Sequence, residues 1–326
     1  MKKIICLGNA LTDELIQLRS DDLLSMLGLP KGSMQIISSE QYLQIKKNIV
    51  GCTKKIAPGG SASNTCRGIA RVGGDATFIG MVGNDDIGML FEEEVRISGA
   101  KSRLLRCDTP SGTALTFISP DSERTFATHL GAALKLSTRH LTKKTFSGFD
   151  ILHIEGYMLQ NHDVINKAVS LAKANGMTIS MDLASYNIVL ENLDFLRHTV
   201  KEYVDILFAN EDESKAFTGK APREALDNIA EMCHTAIVKM GKQGSLIKQN
   251  SQVWQIGISE HKTVDSTGAG DFYAAGFLYG IAADYDIETS ANIGKLLSGN
   301  IVSVVGVKLT ERQWEQIRKD IKKRNF

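Results

Sequence analysis

Thr267-Gly-Ala-Gly-Asp271, followed by the apolar run Phe272-Tyr-Ala-Ala-Gly-Phe-Leu-Tyr-Gly-Ile281, brings together residue types that handle an anion and a proton. Two glycines flanking an alanine let the backbone curl ahead of a helix, so that several N–H groups point at one spot. A helix start already offers unpaired N–H donors and the positive end of the dipole. Gly268, Ala269 and Gly270 therefore make an anion hole suited to a phosphoryl group. Asp271 stands at its mouth, where a carboxylate takes the proton of an attacking hydroxyl while the amides stabilise the transferring charge. The same side chain would also serve as a plain helix cap, and this segment alone leaves both readings open.

The elements that must position these residues follow a strand–helix rhythm. Lys3–Leu7 reads as a buried strand closed by Gly8-Asn9. Gly59-Gly60 opens a helix from Ser61 to Val72, Ala76–Met81 is a strand, and Met89–Ile97 is a helix. From residue 149 onward, Ile151–Ile154, Thr178–Met181, Ile206–Ala209, Ala236–Lys239 and Ser245–Lys248 read as strands, with helices such as His162–Asn175 and Pro222–Cys233 between them. This alternation predicts a mostly parallel sheet with helices on both faces. Ligands of such sheets sit beyond the carboxyl ends of the strands, where Gly8-Asn9, Asp182, Asn210, Gly241 and the loop before Asp271 fall. Segments around 11–19, 33–38 and 104–128, the last with a turn at Ser119-Pro-Asp-Ser122, break the rhythm and are expected to form a small β appendage. Glu311–Arg324 spaces Trp314, Ile317 and Ile321 as one face of an amphipathic helix, whose basic end suits the dipole.

The 326 residues, 43% hydrophobic and 23% charged, fit a soluble globular chain. With 38 basic and 37 acidic side chains, net charge gives no case for nucleic acid or membrane partners. Five scattered cysteines without a Cys-x-x-Cys pair argue against a disulfide framework or a zinc ribbon and for a reducing compartment. The apolar run after Met-Lys-Lys stops at four residues, so a cytoplasmic location is expected. No Gly-x-Gly-x-x-Gly follows the first strand and no Gly-Lys-Ser/Thr loop is present, which sets aside a dinucleotide-binding oxidoreductase and a Walker-type nucleotidase.

Val264-Asp-Ser-Thr-Gly-Ala-Gly-Asp271 resembles the signature of the ribokinase (PfkB) family of carbohydrate and nucleoside kinases. The resemblance implies Asp271 as catalytic base and the amides of Gly268, Ala269 and Gly270 as anion hole. Gly8-Asn-Ala-Leu-Thr-Asp13 is similar to the family's first substrate segment, which implies Asn9 and Asp13 as substrate ligands. Ala57-Pro-Gly-Gly-Ser-Ala-Ser-Asn64 resembles its first glycine signature. It implies backbone approach to the sugar at Gly59 and Gly60 and a hydroxyl contact from Asn64. Asn210-Glu-Asp-Glu213 matches the family's Asn-x-x-Glu motif, implying that Glu213 organises Mg²⁺ through water, with Asn210 beside the nucleotide. Lys239-Met-Gly-Lys-Gln-Gly-Ser245 corresponds to the nucleotide loop, where Gly241 and Gly244 allow close approach to the ATP phosphates. Lys239 stands where the family more often has Thr and would bring charge in place of a hydroxyl. Asn300 occupies the stretch that flanks adenine. Asp265 and Thr267 lie where many members bind K⁺, Thr267 also being beside the nucleotide.

The match runs from residue 4 to about residue 306. It implies a single ribokinase-like α/β domain over residues 1–326, with the misfitting segments as a lid that closes over the substrate and often mediates homodimers. Closure would exclude water that competes for the phosphoryl group. The opening Gly8–Asp13, Lys31-Gly-Ser-Met34 and Glu123-Arg-Thr-Phe126 are closest to adenosine kinase-like members, in which an Arg of this region approaches the phosphate, here Arg124. Met34, Ile36, Phe117 and Tyr157 are the candidate walls of a purine site. The expected activity is transfer of the ATP γ-phosphate to a hydroxymethyl group of a ribonucleoside. A ribokinase- or fructokinase-type sugar kinase and a non-catalytic nucleotide or sugar sensor are the alternatives.

Overall fold

A computed structural model describes residues 1–121 and 123–324. Fourteen strands occur among them: β1 (Lys3–Leu7), β2 (Leu11–Gln17), β3 (Met34–Ile36), β4 (Lys54–Pro58), β5 (Asp75–Gly83), β6 (Lys101–Cys107) and β7 (Gly112–Ile118). They continue with β8 (Arg124–His129), β9 (Ile151–Glu155), β10 (Thr178–Asp182), β11 (Ile206–Asn210), β12 (Thr235–Lys239), β13 (Ser245–Gln249) and β14 (Gln252–Ile256). Nine build a large sheet in the order β14-β13-β12-β11-β10-β9-β1-β5-β6, and five a small one in the order β3-β8-β7-β2-β4. The large sheet is parallel from β12 to β6, and β13 and β14 extend it antiparallel.

The central parallel strands β1, β5, β9, β10, β11 and β12 are mostly apolar and buried because both faces of the sheet are covered, whereas the edge strand β6 keeps polar residues on its open side. On β1, Ile4 and Cys6 point into one core, with the helices Ala269–Ala282, Ile287–Ile301 and Glu311–Lys323. Ile5 and Leu7 point into the other, with His162–Ala174 and Leu193–Tyr203. The Ala269–Ala282 helix is apolar all round and almost wholly buried. It crosses Ile287–Ile301 so closely that a Cβ at Gly276 would meet the Ile293 carbonyl oxygen at 2.6 Å. That contact fixes where the helix begins, and so where Asp271 sits.

β1 lies between β5 and β9, the point at which chain connections turn to opposite sides of the sheet, and the loops at its carboxyl end open into a crevice. The small sheet has its own core of Ile16, Leu24, Ile45, Leu115 and Phe117, packed under the helices Asp22–Leu27 and Ser39–Asn48. Two boundaries differ from the sequence reading. Residues 104–107, expected in the appendage, belong to β6 and pair with β5 at the edge of the large sheet. Lys54–Pro58 joins the small sheet against β2, although its polar composition gave no strand signal. Of the expected turn at Ser119–Ser122, Ser122 lies outside the described residues. Among the described residues no helix is long and apolar enough to cross a membrane, and all five cysteines are free thiols.

Candidate active site

Four consecutive parallel strands on one side of the crevice end on polar residues. β9 ends on Glu155, β10 on Asp182, β11 on Asn210 and β12 on Lys239, and register sets Asp182 against Glu155 and Asn210 against Lys239. Lys239 Nζ reaches Asp182 Oδ2 at 2.6 Å. Asn210 caps the next helix: its Oδ1 accepts from the Glu213 N–H at 2.8 Å, and Glu213 Oε2 accepts from the Asn210 N–H at 2.7 Å. Glu213 is buried, and desolvation and Asp182, opposed by Lys239, raise its carboxyl to about 7. Asp182 and Glu213 thus leave negative charge that one lysine only partly offsets.

Gly268 takes a left-handed conformation (φ 75°) as the N-cap of the Ala269–Ala282 helix, a conformation glycine adopts at little cost. The Ala269 N–H turns back to the Ser266 carbonyl at 3.2 Å, and the first helical bond runs from Phe272 N–H to the Gly268 carbonyl. Ala269 is therefore spent within the turn. The helix-opening donors without an intrahelical partner are those of Gly270 and Asp271, one position beyond the expected cradle. A Cβ at Gly270 would lie 3.0 Å from Lys239 Nζ, so the ammonium stands against this opening.

Asp271 faces the start of the Ser61–Arg71 helix. Ser61 Oγ donates to its Oδ1 at 2.7 Å and Asn64 Nδ2 to its Oδ2 at 2.7 Å, while Thr65 Oγ1 donates to its backbone carbonyl at 3.1 Å. Burial outweighs those bonds and lifts its carboxyl to about 6, Asp182 adding to the rise and Lys239 opposing it. Asn64, expected on a substrate hydroxyl, uses both ends of its amide here, the oxygen accepting from Arg67 Nη2.

The small sheet brings Asp13 over this crevice. Gly60 (φ 80°) packs against the Asn9 carbonyl, and a Cβ at Gly59 would overlap the Asp13 carboxylate. Asp13 keeps some solvent contact, yet its depth in the cleft lifts its carboxyl to about 7 against the pull of Arg67 and Arg124. Arg124, at the start of β8, pairs with Asp265. The same carboxylate accepts from Thr267 N–H at 3.0 Å, Thr267 Oγ1 at 2.8 Å and Gly306 N–H at 2.6 Å. Asp265, the position the resemblance marks as a possible K⁺ ligand, thus accepts from four protein donors, one of them the Arg124 guanidinium. Phe117 is also corrected, because it pairs with Ile16 and lies in the small core. Alternation puts Phe126 and its partner Met34, with Ile36, on the face that carries Asp13 and Arg124.

Comparison with known proteins decides what this crevice belongs to. The model of the pfkB family of carbohydrate kinases matches residues 43–313. The chain is a member of the pfkB family. Its members are phosphotransferases with an alcohol group as acceptor. An adenosine kinase from Sinorhizobium meliloti superposes with a TM-score of 0.89 at 28% identity, covering 98% of this chain and 99% of that one. The adenosine kinase of Saccharomyces cerevisiae is 27% identical over 77% of this chain and 79% of its own length. A probable fructokinase-7 of Arabidopsis thaliana is 28% identical over 71% of each.

Other expected positions of this PfkB kinase lie further out. Gly241 and Gly244 bound the short turn between β12 and β13, both with positive φ. Asn300 sits near the end of the Ile287–Ile301 helix with its amide on the Leu296 carbonyl at 2.9 Å. Asn9 directs its side-chain amide to the Tyr157 carbonyl at 3.3 Å. Sequence reasoning missed Glu155, which is fully buried and accepts from the N–H groups of Asn9 at 2.9 Å and Ala62 at 2.7 Å, tying β1 to the Ser61–Arg71 helix. Its signal was available: a carboxylate closing the apolar strand Ile151-Leu-His-Ile-Glu155. Asp182 carries the same signature.

Proposed function

We propose that this PfkB kinase moves the γ-phosphoryl group of ATP onto a hydroxymethyl group of an adenosine-like ribonucleoside. The observation that carries the reading is Asp271, lifted to about 6 at a helix opening that Lys239 makes positive, with Asp13 facing it from the small sheet. Asp13 would hold sugar hydroxyls, and the Gly59-Gly60 backbone lets the sugar approach. Asp271 accepts the proton of the acceptor hydroxyl, and that oxygen forms its bond to the γ-phosphorus. The bond from phosphorus to the bridging oxygen breaks, and ADP leaves with the electron pair. Gly270, Asp271 and Lys239 supply the donors and charge that balance the transferring group.

Charge neutralisation of the leaving phosphate is what Mg²⁺ contributes when bound, and Glu213 beside Asp182 fits organising it through water. An ion of this kind is bound by one or two carboxylates plus substrate phosphates and water. The small sheet acts as a lid, and Phe126, Met34 and Ile36 give it an apolar face for a base.

The Sinorhizobium adenosine kinase supports a nucleoside acceptor, since it covers almost the whole of both chains. The fructokinase relative favours a furanose sugar as the second reading. ADP release across a panel of nucleosides and sugars separates the two: adenosine-type substrates should lead, and a preference for fructose or ribose over every nucleoside would replace the first reading with the second. Asp271→Asn should lower kcat roughly 10²–10⁴-fold with nucleotide affinity retained. Near-normal turnover in that variant would remove Asp271 from the role of base.

A further inference from the structure

Arg67 lies one helical turn beyond Asn64, buried at 7% exposure, and makes no ion pair within 4 Å among the described residues. Its Nη2 donates to Asn64 Oδ1, and its Nε has no partner among the described residues. Burial lowers its pKa to about 10, so it is a cation at neutral pH. Glu94, Asp13 and Asp271 favour its charge from beyond ion-pair distance, so the direct partner of the guanidinium is the Asn64 amide, and a buried charge held in this way is costly.

What the guanidinium does is settle which way an amide points. Asn64 has two near-identical ends, one a donor and one an acceptor, and a guanidinium can only donate. Facing Arg67, the amide must present Oδ1 to it, which turns Nδ2 toward Asp271 at 2.7 Å. The flipped amide would set a carbonyl oxygen against the carboxylate and an N–H₂ against the guanidinium, two repulsions in place of two bonds. With Ser61 on Oδ1, the carboxylate of Asp271 is held from one side.

We infer that Arg67 is a positioning residue for phosphoryl transfer, locking the Asn64 amide so that it donates to Asp271 and fixes how that carboxylate meets the acceptor hydroxyl. The inference rests on Asp271 being the base. It gives Asn64 a contact with the carboxylate beside its expected place at the sugar.

The test compares Arg67→Met, Arg67→Lys, Asn64→Ala and the Arg67→Met/Asn64→Ala pair in the full chain, with ATP and the best acceptor of the panel. Arg67→Met should lower kcat by about tenfold or more while KM for ATP stays within about twofold, and Arg67→Lys, which keeps an N–H donor, should recover part of the loss. In the Asn64→Ala background, Arg67→Met should cost little further. Full additivity of the two losses, or a change confined to KM, overturns the inference. If Arg67→Met does not fold, Arg67→Lys carries the comparison, and a kcat as low as that of Asn64→Ala overturns it.

A readout that needs no turnover runs alongside. The side-chain NH₂ resonances of Asn64 should be slow to exchange with solvent in the native protein, fast in Arg67→Met and intermediate in Arg67→Lys. Unchanged exchange overturns the inference even if no acceptor is found. A native protein that releases no ADP with any acceptor would instead defeat the kinase reading while this measurement still reports on Arg67.

Discussion

At the scale of single residues, the site is a set of carboxylates whose protonation has been moved into the working range. Burial raises Asp271 to about 6 and Asp13 to about 7. A base must be ionised to act, so activity should rise with pH through these values and fall below them. kcat/KM should therefore decline from near pH 7 downward, by up to about tenfold per pH unit between the two values, and steepen below about 6 toward about a hundredfold per unit as both groups protonate. Lys239 pulls Asp271 downward, so Lys239→Met should shift the acid limb of kcat to higher pH. A profile flat down to pH 5, or a limb that moves the other way, would sever Asp271 from the rate. The two kinds of residue in this set differed in how far the sequence revealed them. Asp271, Glu213 and the glycines stand in short patterns whose spacing carries a mechanism. Glu155 and Arg67 do not, because their partners lie 146 residues away at Asn9 and across a helix turn at Asn64. Only folding makes Glu155 and Asn9 neighbours, whereas Asn64 and Arg67 meet as soon as their helix forms, with no motif to mark the pair.

At the scale of elements, the large sheet was legible because burial on both faces leaves mostly apolar strands between helical segments. The small sheet was only half legible. β2, β7 and β8 show alternation, but β4 is Lys-Lys-Ile-Ala-Pro and acquires strand geometry from pairing with β2. Which face of β7 meets the crevice could not be read either. Phe117 looks like a wall residue until the register with Ile16 turns it to the small core and leaves Phe126 on the other side.

Among the described residues, the ion pair linking the small sheet to the catalytic loop is Arg124 to Asp265. If the guanidinium does the work of a monovalent cation at that carboxylate, activity of the native chain should not depend on K⁺. Arg124→Met should lower kcat by about tenfold, the scale of one charge-assisted hydrogen bond. It should also create stimulation by KCl that choline chloride does not reproduce. Strong K⁺ dependence of the unaltered protein would show that Arg124 leaves Asp265 during turnover.

At the scale of the whole molecule, the same carboxylates set stability against function. Asp13, Glu155 and Glu213 sit at about 7 and Asp271 at about 6, all above their unfolded values near 4. Between about pH 4.5 and 7 the folded chain therefore holds more protons at these groups than the unfolded chain does. Stability must fall as pH rises wherever the native state binds the excess. Their contribution is fully present below the unfolded values and lost as pH climbs through 6 to 7. Buried His153, lowered to about 4 by desolvation, works in the opposite sense, as do His129 and His140, which desolvation also lowers, so four carboxylates stand against three histidines. The ligand-free protein should thus melt at a higher temperature at pH 5.5 than at pH 7.5. Asp271→Asn removes one of the four charges, so at pH 7.5 it should melt roughly 2–4 °C above the native protein, while the two converge toward pH 5. Thermal melts of both proteins over this range decide the matter. If the inactive variant melts no higher at pH 7.5, the cleft is wetter than its geometry implies, and Asp271 ionises there at little cost to the fold.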